Sequence, residues 1–225
     1  MKIKKEYIGL IVVGLALLVI LGMWYFREFD ARGYVQAVLN QRFYGDVEAA
    51  VTFVDDKTEA ELVEQYEAEI QSFVESNITA GVEMEEELQG QYVETCKRIF
   101  NEMDYSVKEA EKISRNEYHV LVEYSPVDVF QTFSTAVPEE KAKIEEKVEK
   151  GEYKGTKEEI TKQMQQEYLY NCCELFKTAY EEMKYLEKET IELVVKRNED
   201  KLFVIDEVQM HEFLVKIMGL DIKQD

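Results

Sequence analysis

Acid–base chemistry in this chain would have to run through very few residues, because His119 and His211 are the only histidines among 225 residues. His119 stands in the segment Tyr118-His119-Val120-Leu121-Val122-Glu123-Tyr124, and Asp128 follows shortly after. A histidine titrates near neutral pH and a carboxylate can orient it, so His119 with Asp128 is the best general acid/base candidate. The alternation around His119 argues against that role. Tyr118, Val120, Val122 and Tyr124 share one face of a strand and His119 takes the other, so a core built on the apolar row leaves the histidine in water.

The remaining reactive residues are sparse. Cys96, Cys172 and Cys173 form neither a C-x-x-C pair nor an even disulfide framework, and with the two histidines they show no zinc-ligand spacing. No metal and no cofactor is expected. Residues 83–87 place four glutamates around Met84, but consecutive helical side chains point in different directions, so a solvated face is the reading. Asn77-Ile78-Thr79 matches a glycosylation triplet inside a helical pattern, where coincidence explains it.

Charge narrows the partners. The chain holds 27 Lys and Arg against 47 Asp and Glu, a net charge of -20. Such a surface repels phosphate backbones, so nucleic acid is excluded as a partner. Calcium-dependent wall binding would rest on this charge alone. Hydrophobic residues at 46% and aromatics at 12% supply a buried core, which separates the chain from disordered acidic tails.

The elements that must position these residues begin with residues 8–26, opening at Ile8 and closing at Phe26. This apolar run of about 19 residues makes roughly 28 Å of helix, enough to span a bilayer core. Lys2, Lys4 and Lys5 precede it, which favours a cytoplasmic N-terminus and an extracytoplasmic remainder. The run ends in Met23-Trp24-Tyr25-Phe26 rather than small residues, so an uncleaved signal anchor is expected over a removable signal peptide. Residues 1–28 are thus read as the membrane segment and 29–225 as one acidic domain.

Beyond the anchor, Tyr34, Val35, Val38, Leu39 and Phe43 repeat at helical spacing, and Asp46 can cap a short helix through Val54. Thr58 with Glu61, and Thr156 with Glu159, have capping-box spacing and open two further helices. The first carries Leu62, Val63, Tyr66, Ile70, Phe73 and Val74, the second Ile160, Met164, Tyr168, Cys172, Phe176 and Ala179 as far as about Leu186. A helix with Tyr92, Cys96, Ile99 and Phe100 leads into a hairpin turning at Arg115-Asn116-Glu117, and residues 127–133 are expected to resume its strand after Pro126. Pro138 is expected in the first turn of an exposed, mobile, charged helix over residues 139–150. A second hairpin turns at Arg197-Asn198-Glu199, and Asp206 with Gln209 opens a last helix bearing Val208, Leu214 and Ile217.

Two stretches read alike. Tyr92-x-x-x-Cys96-x-x-Ile99-Phe100 and Tyr168-x-x-x-Cys172-x-x-Leu175-Phe176 each precede a hairpin whose turn carries Arg-Asn-Glu. The expected fold is α+β: a transmembrane helix, then helices packed on a four-stranded antiparallel sheet built from two helix–hairpin units, about 90–133 and 156–206. Cys96 and Cys172 then occupy matching core positions and are expected as free thiols rather than a bridge. Cys173 lies about 100° further round its helix and should sit nearer the edge.

The opening Tyr34-Val35-Gln36-Ala37-Val38-Leu39, the Phe43-Tyr44-Gly45-Asp46 that follows, and the acidic helix from Thr58 resemble uncharacterised surface lipoproteins of Gram-positive bacteria. Several of those have cystatin-like or NTF2-like α+β domains, so the resemblance implies such a fold and supplies no catalytic residues. The chain departs from them in lacking a lipobox cysteine, its first being Cys96. The leading expectation is a membrane-anchored extracytoplasmic domain that binds a protein, peptide or envelope ligand. The alternative is an NTF2-like pocket enzyme of lyase, isomerase or hydrolase type, working through His119 and a nearby carboxylate.

Overall fold

The computed structural model describes residues 28–54 and 57–220. The chain divides into two compact units, residues 1–30 and 31–225. The anchor expected over Ile8 and Phe26 lies outside the described residues. Among the described residues, no helix is long and apolar enough to cross a membrane.

The second unit is α+β. Helix α1 (Ala31–Tyr44) buries Val35, Leu39 and Phe43. It stops at Gly45, whose φ of +64° suits glycine, and a Cβ there would stand 2.8 Å from the Tyr66 ring. The helix expected after Asp46 is only a 3-10 turn, Ala50–Phe53. Asp46 accepts the Glu48 amide at 3.2 Å without opening a longer helix. Helix α2 (Glu59–Phe73) opens with the Thr58–Glu61 capping box and runs into a π turn, Val74–Ile78. Its Val63 is exposed, outside the buried stripe of Leu62, Tyr66 and Ile70.

Helix α3 (Glu86–Asn101) buries Tyr92, Cys96, Ile99 and Phe100 and leads into the hairpin of β1 (Asp104–Ser114) and β2 (Glu117–Ser125). Residues 127–133 do not resume the strand. Val127 bridges Tyr185, and α4 (Val129–Glu149) then begins, carrying Pro138 in its interior rather than its first turn. The charged stretch after Pro138 is no isolated exposed helix, since Ile144 and Glu140 are buried against α5 (Lys157–Glu181). The packing gained there, with Phe130 and Phe133 on the same helix, outweighs the roughly 3 kcal/mol that an interior proline costs.

Helix α5 keeps its Thr156–Glu159 capping box but ends at Glu181, short of Leu186. It touches both α3 and α4. It therefore buries Leu169 and Cys173 as well as Cys172 and Phe176, and Cys173, expected at the edge, is fully enclosed. All three cysteines are free. Strands β3 (Glu189–Arg197) and β4 (Phe203–Ile205) form the second hairpin, and α6 (Glu207–Ile217) follows the Asp206 cap. Met210, Phe213 and Ile217 face inward from α6, while Val208 points out.

The four strands lie in the order β1-β2-β3-β4, each neighbour antiparallel. Both hairpins follow a helix, α3 and α5, as expected. The inner sheet face carries Tyr118, Val120, Val122, Tyr124, Leu193 and Val195. Aromatic rings fill the space beneath: Phe43 meets Phe100, Tyr105 and Phe213 at centroid distances of 5.8, 5.5 and 6.2 Å, and Phe213 meets Tyr124 at 5.3 Å.

Candidate functional site

His119 stands on the outer face of β2, opposite the buried row. Its Nε2 lies 3.1 Å from Glu117 Oε1 and its Nδ1 2.8 Å from Glu192 Oε1 on β3. The hydrogen bond to Glu117 is the largest influence raising its pKa, and Glu192 adds to it against partial desolvation. A carboxylate beside each nitrogen favours the protonated ring, the form in which both nitrogens donate and neither can accept a proton. The carboxylates flank opposite ring edges and do not converge on one point. Among the described residues no group of three or more His, Cys, Asp or Glu is placed to hold a metal ion.

Asp128 is not on that strand. It precedes α4, where its Oδ1 accepts the Lys184 amide at 2.8 Å and its own amide donates to the Lys184 carbonyl at 3.1 Å. Beside these bonds Leu186 donates to the Pro126 carbonyl at 2.8 Å, so both ends of the α4–α5 excursion are clasped together. From His119 to the end of β2 at Ser125 the strand alone runs about 20 Å. The structure therefore does not bring His119 and Asp128 together.

The rest of the outer face mixes charge with isolated apolar side chains. Glu123 lies 3.2 Å from both Lys108 and Lys188, which holds its carboxyl below the ordinary range. Leu121 and Val204 are exposed there. This face can hold a polar partner by hydrogen bonds and ion pairs.

A broad hollow lies elsewhere, between the N-terminal halves of α3 and α5. It encloses about 670 Å³ and its walls include Met84, Leu88, Gln91, Lys162, Leu169 and Tyr170. Gln165 donates to the Glu83 carbonyl at 3.3 Å and Gln166 to Glu85 Oε1 at 3.0 Å across one end. The glutamates of residues 83–87 are exposed along its rim, as a solvated run should be. Tyr170, 54% exposed, offers a ring face. Sequence reasoning passed over this hollow because its walls are about 80 residues apart and only the pairing of α3 with α5 joins them.

No family model matches the chain, and no curated protein matches it in sequence at a significant level. Among solved structures, the ycdA protein of Bacillus subtilis, described as a lipoprotein, is similar in fold, with a TM-score of 0.52 and 16% identity. The match covers 84% of this chain and 56% of that one, so this chain spans little more than half the length of its structural neighbour.

Proposed function

We propose that the chain is a non-enzymatic, membrane-anchored binding domain held outside the cytoplasmic membrane. The anchor is the apolar run bounded by Ile8 and Phe26, the N-terminus is cytoplasmic, and residues 29–225 meet a protein, peptide or envelope ligand. The observation that carries this reading is the filled interior of the sheet. Where an NTF2-like enzyme would keep a pocket, Phe43, Tyr124 and Phe213 are buried against one another, and His119 faces outward with both nitrogens engaged. Helices on one face of a four-stranded antiparallel sheet also support the cystatin-like or NTF2-like label. The fold shared with a Bacillus protein described as a lipoprotein fits a surface location.

Two measurements test it. Protease added to intact spheroplasts should digest the domain and leave a short membrane-held fragment, whereas protection of the whole chain overturns the orientation. A photo-crosslinking amino acid at position 121, 170 or 190 of the full chain, in its own membrane, should capture a discrete adduct from at least one position. Silence at all three overturns the binding reading.

A further inference from the structure

The two edges of the sheet are finished differently. Strand β1 is long, but its ladder with β2 is irregular between Val107 and Ala110 and again between Lys112 and Ser114. Arg32 also donates to the Val107 carbonyl at 3.3 Å, which occupies that edge. Bulges and charges of this kind are how sheet edges avoid pairing with other chains.

At the other edge β4 spans three residues, while β3 spans nine. Where β4 gives out, Asp206 still donates to the Val194 carbonyl at 2.8 Å, and Gln209 Oε1 accepts the Val194 amide at 2.7 Å. Val194 therefore directs its backbone groups away from β2. In an antiparallel strand that direction repeats every second residue, so Glu192 and Thr190 direct theirs to the same side. Among the described residues, nothing occupies those amides and carbonyls on that side. This stretch has no bulge, for its register with β2 is unbroken from Lys196 to Glu189. Residues 189–193 contain no proline and no lysine.

We propose that residues 189–193 of β3 are a strand-addition site for an extended, basic segment of a partner polypeptide. The proposal deepens the binding reading above and rests on it. Main-chain bonds to Thr190 and Glu192 would continue the sheet where β4 stops, the recognition mode in which alternate side chains supply specificity. Charge selects the occupant. Glu187, Glu189, Glu192 and Glu207 are exposed on or beside this edge, with Glu192 also meeting His119 at 2.8 Å and Glu189 accepting from Tyr124 at 2.9 Å, while the intervening Lys188 is engaged by Glu123 at 3.2 Å. A second copy would set carboxylates against carboxylates across the new ladder, and like charges facing each other destabilise a strand pair. Lysines or arginines in the same places would be attracted. Val208, 76% exposed and next to the Gln209 that touches the edge, gives the added strand an apolar side chain to cover.

The test uses the full chain in detergent and two blocked heptapeptides, one alternating lysine with valine, the other glutamate with valine. The lysine peptide should slow hydrogen exchange at the Thr190 and Glu192 amides at least about tenfold, leaving the Asn116 turn unchanged, and the glutamate peptide should have no effect. Glu192→Pro removes an outward amide without breaking the β2 ladder, a position where strands tolerate proline, and should abolish the protection at Thr190. Glu192→Lys, which keeps the exposed strand intact, should shift preference toward the glutamate peptide. Protection by both peptides alike, by neither, or at Gln165 and Gln166 instead of β3 would overturn the proposal. Crosslinks at positions 121 or 170 with no such protection would leave the binding reading standing and remove only this edge.

Discussion

Tyr92 donates its hydroxyl proton to the Leu169 carbonyl oxygen at 2.7 Å, joining α3 to α5 through the middle of the helical layer. The phenol is buried, and burial is the main cause pushing its pKa far above the ordinary value, so it stays a neutral donor at any physiological pH. Its ring lies nearly parallel to Phe176, 6.2 Å away. Packing and polarity thus meet in one residue at the helix pair that shapes the hollow lined by Leu88 and Tyr170.

Tyr92→Phe keeps the ring and loses the donor. A net hydrogen bond contributes about 0.5–1.5 kcal/mol, which lowers the melting temperature of a domain this size by about 2–4 °C per kcal/mol. Thermal unfolding followed by circular dichroism checks this. An unchanged melting temperature would show that the bond contributes nothing net.

The charged half of α4 should prove as consequential as the recognised core helices. Ile144→Ala should cost about 2–5 kcal/mol and Phe100→Ala about 3–5 kcal/mol, because both side chains are buried. Val148, one turn further along α4, is exposed, and its alanine variant should stay within about 0.5 kcal/mol of the parent. Urea titrations measure all three. Equal losses at positions 144 and 148 would return this segment to the solvent.

His119 should make stability depend on pH in a set direction. Its pKa is raised in the folded state, so its favourable contacts are fully present below the unfolded value of about 6.5 and fade as pH rises through the folded value. His119→Gln should therefore lose more stability at pH 5.5 than at pH 9. Glu117→Gln and Glu192→Gln should each lower the ring's titration midpoint, read by NMR, since both carboxylates raise it. A midpoint unchanged in either variant would remove that carboxylate as a partner of the ring.

No thiol should react readily in the native chain. Burial pushes Cys96 up to about 12 and Cys173 up to about 11, and Cys172 is also raised. A thiol reagent at pH 8 should label all three only as the domain unfolds, because the thiolate is the nucleophile and little of it exists. Rapid labelling of Cys173 alone would mean that α3 and α5 part locally.

What could be read from the sequence was what local chemistry decides. Both capping boxes form as spaced, because a hydroxyl and a carboxylate three residues apart satisfy each other's amides without tertiary help. The alternation of β2 was equally plain, and it placed His119 outside. Residues 127–133 misled because Pro126 and a run of β-branched and aromatic side chains suit a strand, while the clasp from Asp128 to Lys184 and the packing of Phe130 and Phe133 make a helix. The α5 stripe was read one-sided, although that helix is covered from two directions and needs two stripes. The free edge of β3 had no sequence signal at all, since it exists only because β4 ends early.

The antiparallel order of the sheet also has a kinetic side. Its outer pairings close within hairpins, but the seam between β2 and β3 joins residues such as Tyr124 and Glu189, 65 positions apart. Bringing such distant segments together carries a loop-closure cost and slows folding. The clasp from Pro126 to Leu186 and from Asp128 to Lys184 shortens that search, because once α4 and α5 have zipped together the two strands emerge side by side. Asp128, which first drew notice as a partner for catalysis, thereby serves as the buckle that lets two halves of a sheet find each other.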